Sequence, residues 1–175
     1  ILDRIGTLTD SSLLQRLERP DAATRFTMLE TIREYGIDQL EACGELAVAR
    51  KAHAACLLRL AEAGTAQLGG AQQAAWLRRL DDEHPNFRAA LTWAFSPECD
   101  DPDLGPRLAH ALWLFWFRRD YLREGRAWLQ QAHAACRAEA SSLLHARLLT
   151  AEGSFARMIG DFAGADALLD DASRL

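Results

Sequence analysis

Two short segments place an imidazole and a thiol one helical turn apart: His53-Ala-Ala-Cys56 and His133-Ala-Ala-Cys136. One pair from each would complete a tetrahedral zinc site, since neutral imidazole and thiolate are ligands zinc favours. The pairs stand about 80 residues apart, unlike the compact spacing of structural zinc sites. In Ala-rich helices a Cys serves equally as a small apolar residue with its His at a boundary, and no metal ligands are assigned. The acidic loop 98–103 offers carboxylates, but no base, nucleophile or ligand set is tied to it by spacing, so it reads as solvated. Gly69-Gly70 lacks the Lys and hydroxyl of the phosphate-binding pattern G-x-x-x-x-G-K-S/T, which occurs nowhere in the chain. No catalytic residue is assigned, and an enzyme is not expected.

What remains is recognition chemistry. Arg107, His110, Leu114 and Phe117 recur at helical intervals in one stretch, and Arg147, Thr150, Ser154 and Arg157 in another. Two arginines at equivalent places suit an acidic peptide or another anion, because the guanidinium fork grips a carboxylate through two hydrogen bonds. A solvated face accounts for exposed arginines as well. Trp76, Trp93, Trp113, Trp116 and Trp128 could cage a ligand, and Arg78-Arg79 and Arg118-Arg119 hold an anion. Indoles at helical spacing are core material first, so Trp113, Trp116 and Trp128 are expected inside.

The elements that must carry these residues are helical. The chain has 175 residues, 49% of them hydrophobic and 26% charged, enough for a substantial core and unlike a disordered segment. Ala and Leu dominate, and β-branched residues are scarce after Ile37. A net charge of −5 without a basic stripe weighs against a nucleic-acid surface. No apolar run reaches the roughly 18 residues of a membrane span, and no signal-peptide pattern is present, so no membrane partner is expected. Cys43, Cys56, Cys99 and Cys136 lack C-x-x-C spacing and read as reduced thiols of a cytoplasmic protein.

In order, the spacing predicts a helix over 1–8, a strand over 12–18, a turn at Arg19-Pro20-Asp21 and a second strand over 25–29. Thr31 and Glu34 then have the spacing of a capping box opening a helix that Gly44 stops. Further helices are expected over 45–63, closed by Gly64, over 71–80, and over 86–95 with Pro85 in its first turn. Asp103 is a candidate N-cap for the helix that follows. From residue 104 the chain repeats itself at a 40-residue offset, with Gly125 on Ala165, Leu129 on Leu169, Ala132 on Ala172 and Trp113 on Gly153. Each such hairpin buries its apolar face only by stacking on a neighbour. The repeat turns the two Arg-containing stripes away from the partner helix, toward the concave side.

The stretch Leu149-x-x-x-Gly153-x-x-Ala156, continuing through Gly160-Asp161-Phe162 to Ala165, Leu169 and Ala172, resembles a tetratricopeptide repeat. RFTMLETIREYGIDQLEACGE, ARKAHAACLLRLAEA, AWLRRLDDEHPNFRAALTWAF and HALWLFWFRRDYLREGRAWLQQA resemble, in that order, the segment after the nucleotide-binding core of STAND-type (NB-ARC/AAA-like ATPase) regulators, including large LuxR-type bacterial transcriptional regulators.

The resemblance implies a mainly α fold: a partial winged helix with a small β-hairpin over 1–44, a helical linker or start of the superhelix over 45–103, and an α-α superhelix of tetratricopeptide-like hairpins over 104–175. It implies a fragment of a longer protein, acting as a non-catalytic sensor. A protein or small-molecule effector would be bound, and the missing ATPase domain, which alone would hold ATP or ADP and Mg, would be controlled. The winged helix would clamp that ATPase rather than read DNA. A general interaction scaffold, or nucleic-acid binding through the winged helix, are the alternatives.

Overall fold

The computed structural model describes residues 2–17, 24–136 and 142–175. The Ala- and Leu-rich sequence forms helices α1 Leu2–Asp10, α2 Glu30–Ala42, α3 Leu46–Gln67, α4 Gln73–Asp82, α5 His84–Ala94, α6 Leu104–Arg118, α7 Leu122–Ala135, α8 Ser142–Met158 and α9 Phe162–Ser173. Strands β1 Gln15–Leu17 and β2 Arg25–Thr27 pair antiparallel, with Gln15 opposite Thr27 and Leu17 opposite Arg25. Among the described residues the protein is mainly α with one small hairpin, in keeping with its composition. The expected Arg19-Pro20-Asp21 turn lies outside the described residues. No described helix is long and apolar enough to cross a membrane.

The chain divides into two compact units, 1–49 and 50–175, the division falling in the first turn of α3. In the first unit α2 begins one residue before Thr31, with Leu29 at the N-cap position and no side-chain cap. The expected capping box therefore does not form, because Thr31 already lies inside the first turn. Glu30 instead pairs with Arg33 one turn on, and that hydrogen bond holds the Glu30 carboxyl below the usual carboxylate range. Gly44 ends the helix with φ of 70°, as its missing Cβ allows. No described residue of this unit is buried, and Leu13, Leu17, Phe26, Leu29, Tyr35 and Val48 are exposed.

The second unit holds the core. Leu57, Leu58, Leu68, Leu80, Phe87, Leu91, Leu108, Leu112, Phe115, Trp116, Leu129, Leu148 and Phe155 are buried, each stabilising by about 1.5–3 kcal/mol. α3 runs past Gly64, contrary to expectation. A Cβ there would stand 3.0 Å from Leu80 Cδ1, so Gly64 serves close packing rather than helix termination. Thr65 Oγ1 donates to the Ala111 carbonyl of α6 at the same level. Asp103 occupies the N-cap position of α6, but its side chain makes no cap hydrogen bond.

Helices α6 and α7 form one hairpin, and α8 and α9 the next. Their turns are equivalent at the 40-residue offset: Asp120 and Gly160 both adopt positive φ, 61° and 86°, and α7 and α9 begin at Leu122 and Phe162. The small residue has moved between copies. Gly153 on α8 admits Leu169 of α9, whereas Trp113 fills the corresponding place on α6, half-buried, and Gly125 on α7 admits Trp116 and Phe155.

Candidate functional site

Arg107 and Arg147 recur on α6 and α8, the first helices of successive hairpins, and the side chains around them divide by role. Phe117 packs edge-on against Phe155 with centroids 6.0 Å apart, and Leu114, half-buried, packs against the core. Both are thus partly withdrawn from solvent. Thr150 Oγ1 donates to the Ala146 carbonyl and Ser154 Oγ to the Thr150 carbonyl, each at 2.8 Å, the usual back-bonding of hydroxyls inside helices. Arg107 reaches Glu62 of α3 at 3.1 Å, and Arg157 lies 3.9 Å from Asp166 of α9.

His110 of α6 and Arg147 of α8 lie within electrostatic reach of each other on this face. Burial, aided by the charge of Arg147, holds the His110 imidazole below the ordinary histidine range. His110 is half-buried and Arg147 exposed. Such a face can receive an anionic group, offering a guanidinium fork beside a ring that favours its neutral form. Of the eight residues singled out in the sequence, His110 and Arg147 interact across the two helices, Arg107 and Arg157 are directed to carboxylates, and Leu114 and Phe117 pack inward.

The tryptophans are structural. Trp116 is 1% exposed, Trp93 is buried, and Trp76, Trp113 and Trp128 pack half-buried on the core. Arg79 lies over the Trp76 ring at 4.9 Å. His53 and Cys56 are exposed on α3, and His133 is engaged by Glu152. Among the described residues no group of three or more His, Cys, Asp or Glu side chains is arranged to hold a metal. The acidic loop is less free than its composition implies: Glu98 pairs with Arg50 and Asp100 with Lys51, at 2.8 Å in the second case.

Two polar clusters carry no signal in sequence spacing. In one, Glu124 of α7 accepts from Arg88 of α5 at 2.6 Å and meets His84 Nε2 at 3.0 Å, while His84 stacks on Tyr121. Arg88 foremost, with His84, holds the Glu124 carboxyl below its ordinary range against the opposing effect of burial. In the other, Glu152 of α8, 3% exposed, lies 2.5 Å from His133 Nδ1 of α7. Partners 36 to 40 residues apart in the first case and 19 in the second meet only when hairpins stack.

No family model and no solved structure matches the chain. Over 128 residues, 73% of its length, the chain is 32% identical to proteins provisionally named HTH-type transcriptional regulators, one from Mycobacterium bovis and others from Mycobacterium tuberculosis. It spans 14% of the length of those relatives, so the likeness is to one part of a much larger regulator.

Proposed function

We propose that this chain is a non-catalytic regulatory segment of a transcriptional regulator, in which tetratricopeptide-like hairpins sense a protein or small-molecule signal. In this reading 1–44 is a winged-helix remainder, 45–103 a helical linker or start of the superhelix and 104–175 the sensor. The signal controls a STAND-type ATPase core elsewhere in the protein, where ATP and Mg act. The observation that carries the reading is the 32% identity to HTH-type transcriptional regulators. The stacked hairpins α6/α7 and α8/α9, which present His110 and Arg147 from their first helices, support a sensor role. Control requires the signal to bind one arrangement of the regulator more tightly than the other.

The test is reporter transcription driven by the full-length regulator, with and without residues 104–175 and with Arg107→Glu plus Arg147→Glu. Deletion is expected to make output independent of the inducing condition, and the double substitution to weaken the response. An unchanged response to deletion overturns the sensor reading. The relatives' helix-turn-helix name favours a second reading, nucleic-acid contact by α1 and the β-hairpin. It predicts duplex binding by this chain that weakens with salt and on replacing Arg4 and Arg16.

A further inference from the structure

One contact between the two hairpins differs in kind from the apolar packing around it. Glu152 sits in the middle of α8, where Leu148, Leu149, Ala151 and Phe155 are also buried. Its Oε2 lies 2.5 Å from His133 Nδ1, and the His145 ring stacks on that of His133 with centroids 6.3 Å apart and planes at 21°. A carboxylate withdrawn from water is costly unless an adjacent charge neutralises it, and removing that charge exposes the whole penalty. An apolar residue at 152 would join the same helices with no dependence on a proton. This position therefore makes the α7–α8 contact conditional.

We infer that His133 and Glu152 form a proton-operated latch between the hairpins α6/α7 and α8/α9: the His133 imidazolium holds the buried carboxylate and closes α7 on α8, and loss of its proton loosens them. Charged and titratable groups on the surrounding elements are largely committed elsewhere. On α5, His84 and Arg88 are held by Glu124 of α7. On α6, Arg107 is drawn to Glu62 and His110 lies beside Arg147, while Asp103 lies near Cys136. On α7, Arg126 pairs with Asp161, and on α9 Asp166 faces Arg157 and Asp171 pairs with Arg174. His145 is the one further titratable ring described in contact with His133.

The direction follows from the contact. The hydrogen bond and charge of Glu152 raise the His133 pKa above the ordinary histidine value, against the opposing effect of burial. The latch thus contributes fully below the unfolded-state value of about 6.5 and is lost as pH rises through the higher folded-state value. Because α8 also carries Arg147, loosening α7 from α8 alters the His110–Arg147 face, whatever that face binds.

The 175-residue chain tests this directly. In an NMR titration the His133 imidazole should titrate above the ordinary histidine value of about 6.5; a value at or below it overturns the latch. Urea midpoints at about pH 6 and about pH 9 should show a fall on raising pH that Glu152→Gln and His133→Gln each remove and His145→Gln preserves. A fall of the same size in all three variants overturns the proposal. The wild-type titration needs no variant, so it decides even where a substitution unfolds the chain.

Discussion

Gly125 shows how much one missing carbon decides at the residue scale. A Cβ built there would stand 2.6 Å from Phe155 Cε1 and 3.0 Å from Trp116 Cβ, and both neighbours are fully buried. Neither can yield without disturbing the core, so Gly125→Ala should cost about 1–3 kcal/mol by overpacking, despite alanine's better helix propensity. Gly6 of α1 and Gly36 of α2 offer the contrast, since a Cβ at either meets nothing within 4 Å. There the same change should be neutral or stabilising by up to about 1 kcal/mol. Urea melts of the three variants check both signs; equal effects would mean that α7 is not pressed against Trp116 and Phe155. The repeat register places Gly125 opposite Ala165, a small residue in each copy, and so identified a close contact. Its neighbours were not legible, because Phe155 comes from the next hairpin. Gly64 misled for a related reason: a helical glycine with open space and one packed on Leu80 look alike in sequence.

At the scale of the element, the turn inside each hairpin repeats more faithfully than the helices it joins. Asp120 and Gly160 hold equivalent left-handed positions, but only glycine adopts that conformation without a Cβ clash. Asp120→Gly should therefore stabilise the α6/α7 hairpin, and Gly160→Ala should destabilise the α8/α9 hairpin by about 1 kcal/mol. Opposite shifts in thermal midpoint are the expected result, and shifts of the same sign would contradict the equivalence of the two turns. The start of α9 adds a further stop: Asp161 Oδ1 accepts from the Gly164 amide at 3.0 Å while its other oxygen meets Arg126. Helix order and the repeat were readable because apolar spacing and Gly160-Asp161 act locally. Helix starts were less so. Thr31 and Asp103 have the residue types of caps, but neither makes the cap hydrogen bond, since local chemistry sets a preference that the geometry of the first turn need not use. The charged stripe shows the same limit. Spacing put its members on two helices, while the carboxylates that occupy Arg107 and Arg157 arrive from α3 and α9.

For the molecule as a whole, the distribution of burial separates two modes of stability. Every fully buried apolar side chain described lies between Ala54 and Ala165, in the unit 50–175, whereas no described residue of the unit 1–49 is buried. Small domains bury a lower fraction of their surface than large ones and are correspondingly marginal, and the first unit is an extreme case. A chain comprising residues 45–175, which keeps the whole of α3, should retain its helicity and melt cooperatively. Residues 1–44 alone should show little fixed structure, because Phe26, Leu29 and Tyr35 stay exposed and no described residue is buried to offset the entropy of ordering the backbone. Far-ultraviolet circular dichroism and urea melts of the two pieces measure this. A cooperative transition in 1–44, or its absence in 45–175, would contradict the division. The same asymmetry bears on the proposed role. A segment that cannot hold its shape alone draws its order from a partner, and within the longer regulator proposed above such a segment is suited to release as well as to binding. The hairpins, with a core of their own, can then keep their fold in both states, leaving the His133–Glu152 contact to change the packing between them.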